Sequence, residues 1–106
     1  MAKIGLRLGS KNSSINVPEA YAGDGDILLF MNGAGLEAKY IPWNNTGMIA
    51  RKAYERELGE PVGLFSGASK SFREKVVGYF EGLRDIDDSS LEKLAFGLSE
   101  ALNKED

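Results

Sequence analysis

Leu36-Glu37-Ala38-Lys39-Tyr40-Ile41-Pro42-Trp43-Asn44-Asn45-Thr46-Gly47-Met48-Ile49-Ala50 holds the point where the texture of this 106-residue chain changes. From Leu36 to Trp43 the residues alternate, with Leu36, Ala38 and Tyr40 on one side and Glu37, Lys39 and Ile41 on the other, which is the period of a strand. Asn44, Asn45 or Thr46 can then cap a helix whose face is Ala50, Ala53, Tyr54 and Leu58, and Gly59 and Pro61 supply its stop. The chain therefore reads as strand-rich over 1–43 and helical over 46–104.

Working back from that point, Asp26 to Met31 is an apolar run suited to a central strand covered on both faces. Asn32-Gly33-Ala34-Gly35 tolerates the positive φ of a tight turn, so this run and Leu36 to Trp43 make a hairpin. Ala22-Gly23-Asp24-Gly25 reads as a turn before it. Earlier still, Ile4, Leu6 and Leu8 alternate with Lys3, Gly5 and Arg7 as in a half-buried strand. Gly9 to Ser14 is turn chemistry, and Ile15 to Val17 is a short extended piece ended by Pro18.

Working forward, Ser71 with Glu74 makes a capping box for a second helix that stacks Phe72, Val76, Phe80 and Leu83. Its interior glycines, Gly78 and Gly82, each cost roughly 1 kcal/mol against alanine, which suggests close packing against another backbone. Ser89 with Glu92 opens a third helix striped by Leu91, Leu94, Ala95, Leu98 and Leu102, with Phe96 off the stripe. The expected fold is α+β: one domain over 1–106, with an antiparallel sheet of three or four strands covered on one face by three helices.

Composition narrows the chemistry. The chain has no histidine and no cysteine, which removes imidazole acid/base catalysis, thiolate nucleophiles and zinc sites built from those ligands. Thirteen basic and sixteen acidic residues, interspersed, provide no broad positive field for a phosphate backbone, so nucleic acid is an unfavoured partner. The longest uninterrupted apolar run, Ile27 to Met31, falls far short of the roughly 20 residues of a membrane span. No apolar leader follows Met1, and a cytoplasmic chain with no membrane partner is expected.

The motifs that could carry catalysis or metal binding fail in detail. Ser66-Gly67-Ala68-Ser69-Lys70-Ser71 leads into a helix start, but a phosphate loop needs glycine directly before the lysine and again five earlier, where Ser69 and Leu64 stand. What survives is an anion cradle of Gly67, Ser69, Lys70, Ser71 and Arg73, able to hold a small phosphorylated ligand or nucleotide. No serine lies in a Gly-x-Ser-x-Gly elbow, and a solvated Lys70 is too basic to serve as a general base. For the acidic set Asp85, Asp87 and Asp88, with Asp24 and Asp26, an EF-hand count from Asp85 puts Phe96 where a bidentate glutamate belongs. No cofactor, metal site or catalytic residue is expected.

One segment gathers the residue types that proteins use to meet partners: Tyr40, Trp43, Met48, Tyr54, Leu64 and Phe65 around Asn44, Asn45, Arg51 and Lys52. A core this small claims large side chains first, so for Trp43 and Phe65 a place plugging the sheet-to-helix corner is favoured over an interface, with Arg51 and Lys52 the more exposed. The functional expectation is a non-enzymatic protein-binding module, an inhibitor or adaptor of the phage- or immunity-accessory kind. Its surface would be Tyr40, Trp43, Asn44, Arg51, Lys52 and Tyr54, and its partner another protein or a second copy. The phosphorylated-ligand cradle is the alternative.

Overall fold

The computed structural model describes residues 1–33, 35–80 and 88–104. Its strands are β1 (Ala2–Leu8), β2 (Lys11–Val17), β3 (Ala22–Asn32), β4 (Gly35–Pro42) and β5 (Gly63–Ala68), and its helices are α1 (Asn45–Leu58), α2 (Lys70–Phe80) and α3 (Asp88–Asn103). The strands form one antiparallel sheet in the order β2-β1-β5-β3-β4. The α+β class holds, but the sheet has five strands rather than three or four. The added strand, β5, lies between two helices in the part of the chain expected to be helical, and it joins the two N-terminal hairpins through β1 and β3.

β5 has little strand signature because its position fixes its residues. Phe65 is fully buried and meets Phe72 edge-on with ring centroids 5.3 Å apart. A Cβ on Gly63 would come within 2.8 Å of Leu8 Cδ2 and 3.2 Å of Leu29 Cδ1, so any side chain there would have to displace two buried leucines. Ala22 to Gly25, expected as a turn, instead forms the irregular start of β3, with register shifts against β5.

The two faces of the sheet are covered unequally. On one face α2 and α3 bury Phe72, Val76, Phe80, Leu91, Ala95, Leu98 and Leu102 against Ile4, Leu6, Leu8, Ile15, Val17, Ile27, Leu29 and Phe65. On the opposite face α1 alone packs Ala50, Tyr54 and Leu58 against Leu28, Phe30 and Ile41. The expectation that all three helices cover one face is thereby corrected. Ile27, Leu28, Leu29 and Phe30 are all buried, so the central strand needs helices on both sides.

Helix boundaries follow local chemistry. Asn44 caps α1, its Oδ1 accepting from the Gly47 N–H at 2.8 Å, and Gly59 ends the helix at φ 86. Ala53, expected on the buried face of α1, is exposed. Ser71 and Ser89 lie inside α2 and α3 rather than at capping positions, because those helices begin at Lys70 and Asp88. The Ser71 hydroxyl turns instead to the Ala20 carbonyl. Gly78 meets nothing within 4 Å, so close packing does not explain it. Gly97 on α3 does admit a neighbour, the Tyr79 hydroxyl 2.5 Å from where a Cβ would stand. Gly82 and Leu83 lie outside the described residues.

Candidate partner-binding site

The corner from β4 to α1 is held at every residue. Trp43 N–H donates to Asp24 O at 3.0 Å, Asn44 N–H to Pro42 O at 2.9 Å, and Met48 N–H to Asn44 O at 3.0 Å. Gly47 packs so tightly under Pro42 that a Cβ would overlap the Pro42 carbonyl oxygen and stand 2.9 Å from its carbon. Trp43 is therefore presented by a rigid backbone.

Its indole Nε1 donates to Asp26 Oδ1 at 2.9 Å, which fixes the ring's orientation, yet the residue is 56 % exposed. Met48 and Ile49, one turn into α1, are 59 % and 70 % exposed. The expectation that Trp43 and Phe65 would plug the core together holds for Phe65 and fails for Trp43, because the hydrogen bond to Asp26 keeps the indole at the surface. Three large apolar side chains thus stand in solvent within seven residues of a fixed corner, a concentration typical of contact surfaces.

Beside this corner the α1 face of the sheet is only half covered. By register, Arg7, Leu64 and Leu28 form one row, and Gly5, Ser66 and Asp26 the next, towards Trp43. α1 covers the β3 and β4 end of these rows, while Lys3, Arg7, Asn12, Ser14 and Asn16 on β1 and β2 are exposed. Between α1 and β1 runs a groove of about 460 Å³ lined by Arg7, Arg51, Glu55, Glu60, Val62 and Gly63 among others. Arg51 Nε pairs with Glu55 Oε1 at 3.1 Å, one helical turn on. Lys3, Arg7 and Lys52 have no hydrogen-bond or ion-pair partner among the described residues.

Of the six residues expected at the surface, Trp43, Asn44, Arg51 and Lys52 gather around the N-terminal half of α1. Asn44 is engaged as its cap. Tyr40 lies on the other face of the sheet, packed against the larger core with its ring over Gly25. Tyr54 is half-buried beneath α1, its ring 6.5 Å from Phe30 and under the Lys39 ammonium at 5.1 Å. The sequence placed Met48 in the cluster of partner-type residues but not in the expected surface, and Ile49, Gly5 and Arg7 in neither. For Met48 and Ile49 a signal existed: both are apolar and lie off the Ala50, Tyr54, Leu58 stripe.

In the alternative cradle, Gly67 belongs to β5 with φ 84. The Ser69 and Ser71 hydroxyls lie 2.8 Å apart and reach the Ala20 carbonyl at 3.3 and 3.4 Å, and Arg73 Nε donates to Ala38 O at 2.9 Å. These donors already have acceptors; Lys70 is exposed. Asp85 and Asp87 lie outside the described residues, and among those described no three acidic side chains converge as a metal cage requires. No helix among them is long and apolar enough to cross a membrane. Glu37, on the edge strand, is held below the ordinary carboxylate pKa by hydrogen bonds from Lys39 and Asn32. Comparison with known proteins found no family model, curated protein or solved structure that matches this chain.

Proposed function

We infer that the chain is a small non-enzymatic protein-binding module, an inhibitor or adaptor, that meets its partner through Trp43, Met48, Ile49 and the Arg51–Lys52 flank of α1. The observation that carries this reading is an indole both exposed and immobilised. An aromatic already fixed by Asp26 and a braced corner loses little conformational freedom on binding, and Trp, Met and Arg are enriched where binding energy concentrates. The partner is another protein, or a second copy of the chain related by a two-fold axis. The missing histidine and cysteine, and the absence of a nucleophile elbow, support a role without turnover.

The reading is tested by placing a photo-crosslinking amino acid at position 48 and irradiating cells that make the protein. A discrete adduct that disappears when Trp43→Ala is added, with the circular dichroism spectrum unchanged, is expected. An adduct that survives Trp43→Ala refutes the assignment of the surface.

A further inference from the structure

We propose that the trough between α1 and the open half of the sheet binds an extended acidic segment of the partner, with Arg7 and Arg51 taking its carboxylates while Trp43 and Met48 hold an apolar neighbour. The proposal rests on the protein-binding reading and names the chemistry of the partner.

The floor comes from the register. Gly5 pairs with Ser66, and Ser66 with Asp26, whose carboxylate holds the Trp43 indole. Gly5 carries no side chain, so the sheet is low between the indole and the Arg7 row. The groove lined by Arg7 and Gly9 continues this low row along β1, and from Gly5 to Gly9 an extended chain spans roughly 13 Å, room for about four residues of a docked strand. The wall is α1, whose Met48, Arg51, Lys52 and Glu55 share a flank by helical period.

The charge pattern selects the occupant. Arg7 is exposed without a partner among the described residues, as are Lys3 and Lys52, and Arg51 commits only Nε to Glu55, which leaves its terminal nitrogens to form a planar fork. Asp26 and Glu55 are already bonded to Trp43 and Arg51. Along the trough the unpartnered cations Lys3, Arg7 and Lys52 outnumber the remaining anions, Glu60 and the Asp26 carboxylate, whose bond from the neutral indole leaves its charge in place. Glu55 and Glu60 line the same groove, and they oppose the unbroken series of phosphodiester charges of a polynucleotide more than carboxylates spaced by apolar residues. A run of glutamates or aspartates alternating with apolar residues matches this surface better than a polynucleotide, because its apolar residues meet the exposed Trp43 and Met48 while its carboxylates meet the free cations.

Trp43 is the only tryptophan, so its fluorescence reports directly on the trough. The probes are acetylated Glu-Leu-Glu-Val-Glu-Leu amide, its counterpart with Gln at each Glu, and a short oligothymidylate. The acidic peptide should shift the Trp43 emission saturably, with both other probes at least about tenfold weaker. Gly5→Val and Arg7→Glu should each weaken the acidic peptide by about tenfold or more without altering the circular dichroism spectrum. The first should fold because a Cβ at Gly5 meets nothing nearer than Ser66 Cβ at 3.5 Å, and the second because Arg7 is exposed. Equal binding of the glutamine peptide, preference for the oligothymidylate, indifference to both variants, or no binding of the acidic peptide overturns the proposal. A position-48 adduct that needs Trp43 but ignores Gly5→Val overturns the trough alone, whereas an adduct independent of Trp43 removes the underlying reading as well.

Discussion

Replacing Gly47 and Gly78 by alanine makes the same chemical change in two helices, and the structure assigns the two changes opposite signs. In a helix interior alanine is favoured over glycine by roughly 1 kcal/mol, because glycine surrenders more backbone freedom on folding. Gly78 is exposed on α2 and a Cβ there meets nothing within 4 Å, so Gly78→Ala should realise most of that gain. Gly47 is buried in the first turn of α1, and its Cβ would overlap the Pro42 carbonyl oxygen. The obstructing atom is backbone, so relief requires the β4–α1 corner to move. Overpacking of this kind typically costs about 1–3 kcal/mol, and with no flexible side chain to yield, Gly47→Ala should lie at the upper end, a net loss of about 2 kcal/mol after the helix gain. Urea and thermal unfolding followed by circular dichroism read both. For a domain this size the expected shifts in melting temperature are roughly 4–8 °C upward for Gly78→Ala and about twice that downward for Gly47→Ala. A Gly47→Ala protein as stable as the parent would refute the close approach, and with it the argument that Trp43 stands on a rigid corner.

Three further outcomes follow from the same geometry. Asn44→Ala removes the α1 cap and should cost about 1 kcal/mol in urea unfolding; no loss would mean that the Gly47 N–H finds another acceptor. Phe65→Ala empties the junction between β5 and α2 and should cost about 3–5 kcal/mol, enough to leave much of a marginal domain unfolded at room temperature. Glu37 has its folded-state pKa lowered by Lys39 and Asn32, so its contribution to stability is present above the ordinary value of 4.5 and is lost as pH falls through the lower folded value. Glu37→Gln should therefore flatten the acid limb of the stability profile as pH falls below the ordinary carboxylate range, with the sign reversed if the folded pKa is raised instead.

Much of this fold was legible because local signals agreed with one another. The alternation of Ile4, Leu6 and Leu8, the turn at Gly33, the Asn44 cap, the Gly59 stop and the stripe from Leu91 to Leu102 all recur as structure. β5 was hidden because a central strand flanked by Leu8 and Leu29 must be small at Gly63, which erased the apolar run that would have announced it. With β5 unseen, the two hairpins had no link and nothing said which helix covered which face. Ile27 to Phe30 carried only the need for cover on both sides of the sheet, since four consecutive apolar residues cannot all face one layer. At the candidate site, residue type identified Trp43, Arg51 and Lys52. Tyr40 and Tyr54 are equally aromatic, but their faces are fixed by strand and helix phase, which assigns them to packing. Arg7 and Gly5 belong to the trough only through pairing with a strand sixty residues away in sequence, a relation no local pattern contains.

The central claim is that Trp43 is the anchor of a protein-binding surface, and affinity for the partner captured at position 48 tests it most directly. Calorimetric titration of that partner should show binding weakened roughly 30-fold by Trp43→Ala, equivalent to about 2 kcal/mol and typical of an anchoring aromatic. Phe96→Ala, which removes an exposed ring from α3 across the sheet, should leave it unchanged. If the two variants bind alike, or if Phe96→Ala is the weaker, the surface has been placed on the wrong face of the protein.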